Sequence, residues 1–238
     1  MTGTLYAIGV GPGDPELLTL KAARILGNVS CLCVPKGREE GSSLALSIVN
    51  SVIQLDNKEI IEAHFPMKKT KDSEHGPELD AKWNETAETV LKRLHKGIDV
   101  AFITLGDPTV YSTFFYLYDK LLCLDPALAI EIVPGVSSIN ASASRAGISL
   151  GLANEKIAVI PATYVKDLKK VLADFDTLVL MKVHSVFHDV LATLEETGLL
   201  EKATYVVRAC MEGEKVFTNL REVKDEDLNY FSLVVVRK

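Results

Sequence analysis

The run Thr4-Leu5-Tyr6-Ala7-Ile8-Gly9-Val10-Gly11-Pro12-Gly13-Asp14-Pro15-Glu16 decides how this chain folds. Thr4 to Val10 reads as a strand, and the glycines after it permit positive φ and close backbone approach to a ligand. Asp14 stands where it can cap a helix, with Pro15 at the first helical position and Glu16 in the first turn. The helix reads from Pro15 to Leu26, with Leu17, Leu18, Ala22 and Ile25 on one side. A tight strand-to-helix turn accounts for these residues, and so does a ligand site. A dinucleotide fits poorly. The third glycine of G-x-G-x-x-G is replaced by Asp14, and the second strand ends in Val34-Pro35-Lys36 rather than an acidic residue for a ribose. No P-loop is present, and a carboxylate at Asp14 would repel phosphate.

Working outward, strands are expected at Ser30–Val34, Ile98–Leu105 and Ala129–Val133. Helices are expected at Ser42–Val52, Thr109–Leu122 and Ser137–Arg145. Apolar strands separated by helices indicate a parallel sheet covered on both faces. The stretch from Ile61 to Trp83 lacks periodicity and reads as a long excursion before a helix at about Asp80–Lys96. Composition shifts to Gly, Ser and Asn at Gly147–Asn154. Strands then follow at Lys156–Ile160, Thr177–Val183, Thr204–Arg208, Lys215–Asn219 and Phe231–Arg237, with helices at Lys166–Ala173 and Ser185–Glu196 between the first three. The last three strands leave no room for ordinary helices, so they pair antiparallel. The chain is therefore read as α/β with two domains: a parallel-sheet α/β domain over residues 1–135 and a mixed-sheet α+β domain over 136–238.

The 238 residues are 47% hydrophobic and 24% charged, enough to bury a core. No apolar run approaches membrane-spanning length, and the N-terminal residues lack the pattern of a signal peptide, so a cytoplasmic protein with no membrane partner is expected. A net charge of −6 argues against a nucleic-acid partner. Cys31 and Cys33 alternate on one strand face as small buried hydrophobes, and the four cysteines show no zinc spacing. His184 and His188 stand four apart on a predicted helix, a possible metal pair, but no third ligand is evident nearby. A surface or packing role is expected, and no metal site.

Two further strand ends carry glycine turns: Thr104-Leu105-Gly106-Asp107-Pro108-Thr109-Val110-Tyr111-Ser112-Thr113 and Val133-Pro134-Gly135-Val136-Ser137-Ser138. Ligands of open α/β sheets bind at such carboxyl ends, so three turns suggest one shared cleft. In this order, Val10-Gly11-Pro12-Gly13-Asp14 with Leu17-Leu18-Thr19, then Gly106-Asp107-Pro108, then Pro134-Gly135-Val136-Ser137, the chain resembles the tetrapyrrole methylases. Met181, ending Val179-Leu180-Met181, and the turn Val207-Arg208-Ala209-Cys210 extend the likeness over nearly the whole chain. Phe65-Pro66-Met67, the Trp83 region, Phe102 to Thr113 and Tyr230 to Lys238 resemble the branch acting on C-20 of precorrin-2.

The resemblance implies S-adenosylmethionine as methyl donor, held in a cleft between the two domains. Carried over, the cofactor contacts are Pro12, Leu105, Gly106, Asp107, Val110, Ser137, Ser138, Met181, Ala209 and Cys210. Gly106 would let backbone touch the ligand. Asp107 would accept hydrogen bonds or face the cationic groups, or else cap the following helix. Ser137 and Ser138 would bind the methionine end at a helix start, or cap that helix. Met181 would form a soft wall for adenine, or fill core. The acceptor would be precorrin-2 or cobalt-precorrin-2, a tetrapyrrole rich in carboxylates. Lys36 and Arg38 are the first candidates to bind them, then Lys68, Lys69 and Lys71, then Arg145, with Tyr111 orienting the ring. No catalytic base is assigned. The resemblance also implies a homodimer. Methylation elsewhere on the macrocycle, as in uroporphyrinogen III methylation, and a non-catalytic small-molecule binding module are the alternatives.

Overall fold

The computed structural model describes residues 1–36, 43–64 and 77–238. Two compact units divide the chain, Met1–Ser137 and Ser138–Lys238. The first is built on five parallel strands, β1 (Leu5–Gly9), β2 (Cys31–Lys36), β3 (Glu59–His64), β4 (Val100–Thr104) and β5 (Ile130–Val133), in the order β3-β2-β4-β1-β5. Its helices are α1 (Leu20–Asn28), α2 (Leu44–Asn50), α3 (Pro77–Leu94) and α4 (Phe114–Leu124).

Side chains alternate across this sheet as the strand period requires. Leu5, Ala7, Cys31, Cys33, Val100 and Phe102 pack on one face with Trp83, Ala87, Val90 and Leu94 of α3 and Phe114, Leu117 and Leu121 of α4. Ile8, Leu32, Val34, Ala101, Ile103 and Val133 pack on the other with α1 and α2. Both sheet cysteines are fully buried, and burial, with Glu59 nearby, pushes the Cys31 thiol up to about 11.

The second unit holds α5 (Ser138–Ala146), β6 (Ile157–Pro161), α6 (Leu168–Asp174), β7 (Thr177–Met181), α7 (Phe187–Glu196), β8 (Ala203–Val207), β9 (Lys215–Phe217) and β10 (Ser232–Arg237). Its sheet runs β6-β7-β10-β8-β9. Only β6 and β7 are parallel; β10 is antiparallel to both neighbours and β8 to β9, as the crowding of the last three strands requires. Leu178, Leu180, Ala203, Tyr205, Val234 and Val236 form one buried face with Phe187, Val190 and Leu194 of α7. Among the described residues no helix is long and apolar enough to cross a membrane.

Four local expectations are corrected. The helix read from Pro15 to Leu26 is two pieces, a 3-10 turn at Pro15–Leu17 and then α1, because Leu18 and Thr19 are extended and the Thr19 hydroxyl accepts the Ala22 N–H at 3.1 Å as a fresh cap. The helix expected from Thr109 starts only at Phe114. Tyr111 lies in the left-handed region (φ 51°), which no α-helix accommodates, and Ser112 Oγ accepts the Phe114 N–H at 3.1 Å. The start of the excursion is a strand, β3, which among the described residues is the end strand of the sheet and whose Glu59 and Glu62 interrupt its apolar residues; α3 begins three residues early. His184 lies in a short 3-10 turn before α7 rather than on it, against the Tyr230 ring, while His188 on α7 meets Asp225 at 3.2 Å.

Candidate active site

In a parallel sheet all carboxyl ends lie along one edge, so the turns after β1, β4 and β5 are neighbours. They are also fused. Gly11 and Gly106 exchange backbone hydrogen bonds, Gly106 N–H to Gly11 O at 2.7 Å and Gly11 N–H to Gly106 O at 3.3 Å. Asp107 ties the second turn to the third: its Oδ2 accepts the Gly135 N–H at 3.0 Å, while Oδ1 accepts the Thr109 N–H at 2.8 Å and the Thr109 hydroxyl. Gly106 has φ 72°, a conformation only glycine adopts without strain.

Gly9 and Gly135 were not singled out as site residues, yet they set the spacing. A Cβ on Gly135 would fall 2.3 Å from Gly106 O and 2.7 Å from Gly9 O. One on Gly9 would fall 2.5 Å from Gly106 O. These glycines serve the contact between turns, and their recurrence at strand ends was the available signal. Pro12 is buried in the first turn, while Leu105, Asp107, Val110, Ser137 and Ser138 are partly exposed around the junction. Tyr111 is half exposed.

In the second unit, Met181 pairs in register with Leu233, and Val207 with Ser232. Met181 and the turn Arg208–Cys210 therefore flank the same end of β10. Ala209 is buried; Met181 and Cys210 are partly so. Five non-glycine residues among those described have positive φ, and four of them, Tyr111, Lys182, Arg208 and Cys210, are candidate site residues or immediate neighbours of one. Such strain persists where surrounding contacts over-determine it, and it clusters at functional sites.

The expected basic residues fall differently. Lys36 Nζ is held by Glu62 Oε1 at 2.5 Å, and its side chain is 14% exposed. Arg145 binds Glu214. Arg38, Lys68, Lys69 and Lys71 lie outside the described residues. Among the described residues no cluster of His, Cys, Asp or Glu could hold a metal ion.

The donor set is chemically mixed. In the first unit Leu105 and Val110 offer apolar surface, and Ser137 with peptide groups of the turns offers partners for a charged group; in the second, Met181 and Ala209 offer apolar surface and Ser138 a hydroxyl. This suits a nucleoside joined to an amino acid, S-adenosylmethionine among them.

The family model for Tetrapyrrole (Corrin/Porphyrin) Methylases matches residues 4–224. The chain is 41% identical to cobalt-precorrin-2 C(20)-methyltransferase of Salmonella typhimurium, over 100% of this chain and 98% of that protein. Two solved structures share the fold at lower identity. Cobalt precorrin-4 methyltransferase, a cobalamin biosynthetic enzyme, superposes with TM-score 0.75 at 22% identity, over 98% of this chain and 94% of the other. Uroporphyrin-III C-methyl transferase from Thermus thermophilus, complexed with S-adenosyl homocysteine, gives 0.65 at 23%, over 99% and 98%. A family match over most of the chain and a full-length relative at this identity establish that the chain belongs to the tetrapyrrole (corrin/porphyrin) methylases.

Proposed function

We propose that this chain transfers a methyl group from S-adenosylmethionine to C-20 of precorrin-2 or cobalt-precorrin-2 in cobalamin biosynthesis. The donor half rests on one observation above all, the three strand-end turns fused through Gly11, Gly106, Asp107 and Gly135. The acceptor half rests on the full-length likeness to the Salmonella typhimurium enzyme.

S-adenosylmethionine supplies an electrophilic methyl group on a sulfonium sulfur. The protein's share is placement and exclusion of water. The contacts proposed for the adenosyl part are Leu105 and Val110 in the first unit and Met181, Ala209 and Cys210 in the second; those for the amino-acid end are Ser137 and Ser138. Asp107 braces its own turn through Thr109 and joins it to the next through Gly135, so it fixes the shape of the pocket as well as bordering it. The meso carbon is already activated by the pyrrole nitrogens, so in-line alignment is the main demand, and its proton leaves after the carbon–carbon bond forms. Lys36, with Arg38, meets the ring carboxylates, exchanging Glu62 for substrate; Tyr111 orients the ring. The chain works as a homodimer in the cytoplasm, a reading carried by the family resemblance and testable by sedimentation equilibrium.

Purified protein is incubated with labelled donor and either precorrin-2 or its cobalt form. A one-methyl mass gain, placed at C-20 by NMR, is expected. No gain with either acceptor, or a methyl at another carbon, overturns the assignment. Lys36→Ala/Arg38→Ala raises KM for the tetrapyrrole in a salt-dependent way while leaving KM for the donor in place; unchanged acceptor KM removes both residues from the site.

A further inference from the structure

Glu214 has no role in the reading so far, yet it is the hub of a charged network in the second unit. Arg145, in the last turn of α5, donates through Nε to Glu214 Oε1 at 2.6 Å, and its Nη2 lies 2.6 Å from the same oxygen. The other oxygen, Oε2, accepts the Cys210 backbone N–H at 2.6 Å. The Glu214 side chain is 17% exposed, while Arg145 is 54% exposed. One carboxylate thus joins α5 to the turn that leaves β8.

That turn is strained. Arg208 and Cys210 both take left-handed backbone conformations, at φ 55° and 60°, on either side of Ala209. Each costs on the order of 1–3 kcal/mol for a residue with a side chain and persists only when neighbours hold it. Arg208 is held by its N–H to Phe231 O at 2.7 Å and its Nε to Glu212 O at 2.6 Å. At Cys210 the corresponding holder is a charge-assisted bond to Glu214, stronger than a neutral one.

We infer that Glu214, clamped by Arg145, is a positioning residue that fixes Cys210 in its left-handed conformation and so sets the Ala209–Cys210 wall of the donor pocket. The inference rests on the proposed reading of Ala209 and Cys210 as donor contacts. Burial pushes the Glu214 carboxyl upward, but the bonds from Arg145 and from the Cys210 N–H prevail and hold it below the usual glutamate value, so the clamp is charged at neutral pH.

The experiment measures S-adenosylhomocysteine affinity by calorimetry, with thermal unfolding recorded on the same samples. Glu214→Ala weakens binding about tenfold or more, the scale of one lost charge-assisted bond. Glu214→Gln, which keeps an acceptor for the Cys210 N–H, recovers a large part of it. Arg145→Leu, at the exposed end of the pair, weakens binding severalfold and serves where Glu214→Ala does not fold. Cys210→Gly in the Glu214→Ala background restores affinity, since glycine adopts the left-handed region unaided. A merely structural Glu214 would lower the melting temperature and leave affinity untouched below it. Wild-type affinity in folded Glu214→Ala or in Arg145→Leu overturns the inference alone. Failure of the unmodified protein to bind S-adenosylhomocysteine overturns the donor reading beneath it.

Discussion

A methyl group on Gly135 would sit 2.3 Å from Gly106 O, which is backbone and cannot rotate away. Gly135→Ala therefore forces two turns apart. The expected loss is about 1–3 kcal/mol, the range for overpacking a close contact, read as a lower urea midpoint. Donor affinity falls with it, because the displaced turn also carries Ser137. An unchanged midpoint would show that the turns part freely. The three glycine motifs were legible in the sequence, and so was their meeting at one sheet edge. Their division of labour was not. Gly106 reads as a residue that lets backbone touch the ligand; the structure adds that its carbonyl faces Gly9 and Gly135. A glycine in a string does not say whether its empty side faces ligand or another chain segment. Glu214 was equally silent, since its partner Arg145 lies far away in sequence and a surface ion pair leaves no periodic trace.

The segment after β9 shows how a polar contact fastens one element to another. The Asp227 side chain, 5% exposed, accepts from Lys215 Nζ of β9 at 2.6 Å and from the Lys224 N–H at 3.1 Å, and its carbonyl accepts the Tyr205 hydroxyl of β8 at 3.1 Å. The Lys215 hydrogen bond, then the Lys224 N–H, holds the Asp227 carboxyl below the ordinary aspartate value. A depressed native value contributes stability that is present above the unfolded value, near 3.9, and is lost as pH falls through the native one. Urea midpoints should therefore decline in the wild type from about pH 5 downward, and Asp227→Asn should flatten that acid limb. A limb of equal steepness in both would remove Asp227 from the cause. Strands with apolar runs, β1, β4, β7 and β10, were legible because burial on both faces leaves only one reading. β3 was not, because Glu59 and Glu62 interrupt its apolar residues. The breaks before α1 and α4 were hidden for another reason: the Thr19 cap and the left-handed Tyr111, with Ser112 Oγ accepting the Phe114 N–H, fall inside stretches whose apolar spacing already looked helical.

At the scale of the whole molecule, a ligand that binds only the folded state raises stability by mass action. S-adenosylhomocysteine at a hundred times its dissociation constant adds about 2.7 kcal/mol, which for a chain of this size is roughly 5–10 °C in melting temperature. Differential scanning calorimetry with and without the ligand reads this directly, and coincident curves at saturating ligand would count against a donor site. The parallel order β3-β2-β4-β1-β5 carries a further consequence, for synthesis rather than catalysis. β1 has no neighbour from its own end of the chain: Leu5 faces Val100 on one side and Ile130 on the other. Its apolar edges leave the ribosome long before either partner exists, and such long-range pairing is slow and prone to aggregation in the interval. Soluble yield in a heterologous host should hinge on growth temperature and on the supply of holdase chaperones during translation.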